Sequence, residues 1–191
     1  MIILGLDPSQ STGWALYDTS ASLSAIRAGV LKATGDDYEH KSASLGFALM
    51  RLIKANRPDF IAIEMPIRTQ PGQGRKKMKF MGSAVVEEDV VAGSGLNAVI
   101  SSNQMVGAVC GIIGAYGIPF ECIAPVTWRS QFLGFGRRPG WQRKDWKKAV
   151  RERCGQLRIT VTNDDMADAV GISFAGKACQ TLRMIEARQA A

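Results

Sequence analysis

The chain has 191 residues, 46% of them hydrophobic and 21% charged, with a net charge of +7. That length is enough for one well-buried domain, and the composition is globular rather than disordered or fibrous. No run of about 18 apolar residues occurs, and the N-terminus has no basic segment leading into an apolar core and cleavage site, so a cytoplasmic protein without a membrane span is expected.

Residues 1–7, about 12–18 and about 24–32 read as three successive strands. The first ends in Asp7, and the turn Pro8-Ser9-Gln10-Ser11-Thr12-Gly13 leads into the second. Residues 38–56 carry Leu45, Leu49, Leu52 and Ile53 at helical spacing and stop before Arg57-Pro58. Phe60 to Glu64 is a fully apolar strand that again ends in a carboxylate, closed by Pro66. Residues 66–80 lack periodicity and read as a mobile basic loop, and Gly93-Ser94-Gly95 argues for a break within 81–96. Residues 97–116 are small, apolar and compatible with a helix; this helix is a candidate dimer face, although burial against the sheet accounts for it equally well. Pro119 to Ile123 reads as a fifth strand, Pro125 to Phe132 as a short helix, and 134–143 as a second basic, Gly-rich loop. Helices are expected over 144–154 and 165–188. A meander of three strands followed by alternating elements predicts an α/β fold: one domain over 1–191, with a mixed five-stranded sheet and helices on both faces.

Charge is distributed unevenly. Residues 68–79 carry +5 and residues 127–158 carry +8, leaving −6 for the rest, which contains every acid singled out below. Acidic centre and basic flanks suit a nuclease, because metals need carboxylates and a polyanion needs Lys and Arg. Asp7 and Glu64 sit at strand ends, and Asp164-Asp165-Met166-Ala167-Asp168 opens the last apolar helix behind Asn163, a good N-cap. Asp165 and Asp168 are three apart, Asp164 and Asp168 four apart, so either pair could share a helix face. Acids in a first turn also complement the helix dipole without any function. Together these acids form a candidate Mg²⁺ (or Mn²⁺) site, with two ions sharing the work of phosphodiester hydrolysis. The four cysteines, Cys110, Cys122, Cys154 and Cys179, contain no CxxC pair, and His40 is the one histidine, so zinc chemistry is not expected.

The motifs Leu4-Gly5-Leu6-Asp7-Pro8-Ser9 with Thr12-Gly13, Ala62-Ile63-Glu64, and Asp165-Met166-Ala167-Asp168-Ala169 stand in one order along the chain. With Pro125-Val126-Thr127-Trp128-Arg129 through Gly134-Phe135-Gly136 and the Lys cluster after it, the chain resembles the RuvC-like Holliday junction resolvases of the ribonuclease H-like superfamily, especially compact phage-type members. The resemblance implies a metal-dependent endonuclease that resolves four-way junctions as a homodimer, in a bacterial cell or a phage-infected host. It implies that Asp7 bridges two metals, that Glu64 binds one, and that Asp165 and Asp168 complete the site, with Asp164 as the alternative to Asp165. A basic side chain assisting the transition state would be Lys147 or Lys144. The chain departs from the family after Glu64, where Met65-Pro66 and a long basic loop stand before any helix; by the resemblance, Phe80 would be the candidate for the family's junction-wedging aromatic, on a looser match than the other motifs.

The expected DNA surface comprises Arg75, Lys76, Lys77, Lys79 and Phe80 on the first basic segment. On the second it comprises Phe135, Arg137, Arg138, Trp141, Arg143, Lys144 and Lys148. Aromatics among cations can stack on unpaired bases, while cations meet phosphates. Trp128 and Phe132, at helical spacing, read as packing residues. Rival readings are a ribonuclease H acting on RNA–DNA hybrids, a non-catalytic junction-binding protein, and an actin-like ATP-binding protein, which usually needs two such halves and a longer chain.

Overall fold

The computed structural model describes residues 1–66, 78–81, 84–87 and 93–189. In chain order the elements are β1 (Ile2–Asp7), β2 (Ser11–Asp18), a 3₁₀ turn (Leu23–Ala25), β3 (Arg27–Lys32), α1 (Tyr38–Asn56) and β4 (Phe60–Glu64). There follow β5 (Met78–Met81), β6 (Ala84–Glu87), α2 (Gly93–Ala115), β7 (Phe120–Ile123), α3 (Pro125–Leu133), α4 (Arg143–Gln156), α5 (Asp164–Gly176) and α6 (Gln180–Gln189). The main sheet has the order β3-β2-β1-β4-β7, with β5 and β6 in a separate two-stranded sheet. β3, β2 and β1 pair antiparallel, and β4 and β7 continue parallel to β1. The expected mixed five-stranded α/β architecture is therefore present.

Side-chain alternation divides β1 and β4 between two cores. Leu4, Leu6, Ile61 and Ile63 point to one face, where Leu45, Leu49 and Ile53 of α1 and Met105, Val109 and Ile113 of α2 cover them. Ile3, Phe60 and Ala62 point to the other, under Trp128 and Phe132 of α3, Val150 of α4 and the apolar side of α5. Asp7 and Glu64 fall on the parity of this second face. Leu6 and Ile63 are in register, so these acids are the next residues along two adjacent parallel strands. Ligand sites in such sheets form at the carboxyl ends of the strands.

Two glycines seat α5 on the sheet. A Cβ on Gly5 would collide with the Ser173 nitrogen and the Ala169 carbonyl, and one on Gly13 with the Asp165 carbonyl. Gly13 is registered against Asp7. Backbone therefore lies on backbone where the acid-bearing turn of α5 meets the strand ends.

Four expectations are corrected. β3 begins at Arg27, because Leu23–Ala25 form a 3₁₀ turn. Met78–Met81 pair antiparallel with Ala84–Glu87 although 66–80 read as loop; the partner segment holds Val85 and Val86, β-branched residues that favour a strand. The Gly93-Ser94-Gly95 stretch begins α2 rather than breaking it, and the buried Met105, Val109 and Ile113 show tertiary packing outweighing local propensity. The last apolar segment is two helices: after Gly176, backbone bonds from Ala178 to Ala175 and from Cys179 to Gly176 tighten the chain into a turn. In addition, residues 97–115, with mean hydropathy 1.5, form a helix long and apolar enough to cross a membrane by length and composition, although one of its faces is packed into the core.

Candidate functional site: an acidic cleft with a basic rim

The β1–β2 turn fixes the approach to Asp7. The buried Thr12 hydroxyl donates to the Ser9 carbonyl at 2.7 Å and accepts from the Ser9 amide at 3.1 Å. Ser11 Oγ then donates to Asp165 Oδ2 at 2.8 Å, tying this turn to α5. Asn163 caps α5 as its residue type predicts, its side chain accepting from the Met166 amide at 2.9 Å. Asp164 and Asp165 thus stand in the first turn, and Asp168 lies one turn further, 9% exposed.

Asp7, Glu64, Asp165 and Asp168 all line one cleft of about 690 Å³. Asp164 is not among its lining residues; it turns outward to Lys147 at 3.6 Å and Arg151 at 3.7 Å. Between the two alternatives, the geometry brings Asp165 into the cleft. Burial, then Glu64, Asp168 and Asp165, hold the Asp7 carboxyl well above the usual carboxylate range, against the pull of Lys147. Burial also raises Glu64, opposed by the Trp128 hydrogen bond, and raises Asp168, opposed by Lys147 and Arg129. Clustered oxygen donors that resist ionising together are a donor set that a hard divalent cation would relieve. Among the described residues, no group of three or more His, Cys, Asp or Glu side chains is already arranged to hold a metal ion. The donor chemistry fits such an ion, and the carboxylates share a cleft rather than a closed cage.

Cations stand against this floor. Lys147 Nζ lies 3.6 Å from Asp168 Oδ2, while Lys144 faces the neighbouring groove and is not in the cleft. Arg129 also lines the cleft, and sequence reading gave it no site role. Its guanidinium rests 5.1 Å from the Trp128 ring centre and 5.2 Å from that of Trp146, and among the described residues its Nε is the one buried side-chain nitrogen or oxygen without a hydrogen-bond partner. The signal available in the sequence was its place next to a core tryptophan. Trp128 itself is wholly buried, as expected for packing, yet its indole N–H donates to Glu64 Oε2 at 2.7 Å.

The expected DNA surface is distributed around the cleft. Arg143, Lys144, Lys147, Lys148 and Arg151 line a second groove of about 670 Å³, which shares Arg143 and Lys147 with the acidic cleft. Lys148 pairs with Glu152 at 3.9 Å, and Arg137 is exposed on the 134–142 loop. Phe135, Trp141 and Trp146 pack against one another at centroid distances of 4.8 to 5.9 Å, and Arg138 sits 4.1 Å from the centre of Phe135. These aromatics form a half-exposed knob rather than separate stacking surfaces. Lys79 and Phe80 are described by their backbone in β5, and Arg75, Lys76 and Lys77 lie outside the described residues. None of the four cysteines is in a disulfide, and His40 is an exposed residue of the first turn of α1.

Comparison with known proteins gives a consistent picture. A crossover junction endodeoxyribonuclease RuvC from Orientia tsutsugamushi (strain Boryong) is 24% identical over 188 residues, covering 97% of this chain and 100% of that protein. One from Salinibacter ruber (strain DSM 13855 / M31) is 37% identical over 81 residues, covering 41% of this chain and 45% of that protein. T. thermophilus RuvC in complex with a Holliday junction substrate has the same fold, with a TM-score of 0.65 at 16% identity over 93% of this chain and 94% of that one. No family model matches the chain. Over nearly its whole length the chain is similar in sequence to a crossover junction endodeoxyribonuclease RuvC, and it shares the fold of T. thermophilus RuvC.

Proposed function

We propose that this chain is a single-domain, metal-dependent endodeoxyribonuclease that cuts four-way DNA junctions by phosphodiester hydrolysis. The observation that carries this reading is the convergence of Asp7, Glu64, Asp165 and Asp168 in one cleft whose rim is basic. These four carboxylates would hold Mg²⁺ or Mn²⁺, as two ions in the manner the resemblance implies. Bound there, divalent ions supply Lewis-acid activation of water and stabilisation of the leaving oxygen.

The remaining work belongs to side chains of this protein. Lys147 and Arg129 face the carboxylates and offset charge on the scissile phosphate. Arg143, Lys144 and Lys148, continuing from the cleft, bind flanking phosphates and fix the strand's register without reading its sequence. Arg137, Arg138 and the Phe135–Trp141 knob extend this surface toward the junction.

A four-way junction has two-fold symmetry, and paired cuts call for a homodimer. α2 supports one: among the described residues nothing stands within 4 Å of a Cβ built on Gly107, Gly111 or Gly114, and Ile100 on this helix and Tyr116 in the turn just after it are exposed. A second copy seated there would also account for the helix's high hydropathy. Action on DNA fits a cytoplasmic enzyme, of bacterial or phage origin.

The test is to incubate the wild type and Asp7→Asn with labelled four-way junction, matched linear duplex and RNA–DNA hybrid, in Mg²⁺, Mn²⁺ or EDTA. Symmetric, metal-dependent nicks in the junction, absent from the variant, are expected. Cutting of the hybrid alone would move the assignment to a ribonuclease H, and binding without cutting to a junction-binding protein.

A further inference from the structure

Trp128 touches three parts of the cleft at once. Its indole N–H donates to Glu64 Oε2 at 2.7 Å, which occupies one carboxylate oxygen and fixes the plane of the group. Its ring carries the Arg129 guanidinium on one side, where Trp146 also contacts it. Its far edge presses on α5 at Gly171, where an added Cβ would come within 2.7 and 2.8 Å of two ring carbons. α5 bears Asp165 and Asp168, and Gly171 lies three residues beyond the latter. With the indole fully buried, the N–H has no water to turn to, so its bond to Glu64 is held in one geometry.

We infer that Trp128 is a positioning residue: its indole N–H holds Glu64 in the orientation that binds the metal. The inference rests on the metal-nuclease reading above. Outer hydrogen bonds to ligating carboxylates orient the ligand, and removing one typically lowers metal affinity or activity about 10–100-fold. A phenylalanine, or any other side chain lacking the N–H, could fill most of the space and still leave Glu64 free to rotate. The role therefore requires tryptophan at this position rather than an apolar side chain of similar size.

Calorimetric Mn²⁺ titration of the DNA-free protein tests this, with Trp128→Phe set against Phe132→Leu as a packing control. Phe132 is equally buried on α3 and meets the same Gly171, but the structure gives it no bond to a carboxylate. Trp128→Phe is expected to weaken Mn²⁺ binding about 10-fold or more, with junction affinity in EDTA unchanged. Phe132→Leu is expected to lower the melting temperature and leave Mn²⁺ affinity within about two-fold. Equal Mn²⁺ affinity for Trp128→Phe and wild type would overturn the inference. So would a Phe132→Leu loss as large as that of Trp128→Phe, since packing alone would then explain it. Absence of Mn²⁺ binding in the wild type would overturn the metal reading and this inference with it. Should Trp128→Phe fail to fold, the indole N–H resonances of the four tryptophans decide. The Trp128 signal, identified by its displacement in Glu64→Gln, should move with Mg²⁺ in the wild type; a signal indifferent to both would overturn the inference.

Discussion

The floor and the rim of the cleft are built in opposite ways. The floor is backbone on backbone: Gly5 and Gly13 let α5 sit directly on β1 and β2, and Ser11 bonds to Asp165. The rim is a loop and one face of α4, with exposed Arg137, Arg138, Arg143, Lys144 and Lys148. A site that must place several carboxylates around small cations needs fixed geometry. A surface that follows a phosphate backbone needs charge and tolerates movement. On the proposed reading, chemistry and affinity would reside in separable parts of this molecule.

That separation can be broken by substitution, and the largest effect belongs to the floor. Asp7→Asn is expected to reduce cleavage about 10³-fold or more, since a lost metal ligand forfeits several kcal/mol of charge stabilisation. Gel-shift affinity for the junction in EDTA should remain within about two-fold of wild type. A parallel loss of binding would show that floor and rim are not separable.

Gly13→Val comes next. Its side chain would meet the Asp165 carbonyl, so the first turn of α5 must move away from Asp7. Overpacking of this kind costs about 1–3 kcal/mol, measurable as a lower urea midpoint, with cleavage falling further than the folded fraction.

The third prediction concerns pH. In metal-free protein, the Asp7, Glu64 and Asp168 carboxyls are all held above their ordinary values, so the folded state binds more protons than the unfolded one. Their contribution to stability is complete below the ordinary carboxylate range and is lost as pH rises, through about 8 for Asp7. The melting temperature in EDTA should therefore fall as pH rises from about 5 to 8, and Mg²⁺ should restore it most at the high end. Asp7→Asn should flatten the decline. A melting temperature that rises with pH in EDTA would contradict the electrostatic reading of the floor.

The smallest effects belong to the rim. Single alanine replacements at Lys144, Lys148 or Arg137 should each reduce the salt slope of junction binding by about 1 and weaken affinity a few-fold. Cleavage at saturating enzyme should be unchanged.

Much of this was legible in the sequence because it rests on local signals. Apolar runs ending in Asp7 and Glu64 read directly as strands with acids at their ends, and period-2 alternation puts both on one face. Asn163 announced the start of α5. Choosing between Asp164 and Asp165 was not local: both stand in the first turn, and only the placement of α5 against Gly13 and Ser11 turns Asp165 inward. Lys147 and Lys144 separate for the same reason, by which side of α4 faces α5. The Trp128–Glu64 bond was hidden because its partners are 64 positions apart, and the role of Arg129 because its contact with Trp146 joins two different helices, where no periodicity reports contact. The break between α5 and α6 was missed because Gly176 lies within an apolar run and is explained by its contact with Ile3.

The most direct test is a crystal structure of the protein soaked in Mn²⁺, with the metal located by its anomalous scattering. The account predicts metal density among Asp7, Glu64, Asp165 and Asp168, with Asp164 still turned to Lys147 and Arg151. Density centred on Asp164, or none within the cleft at saturating Mn²⁺, would contradict it.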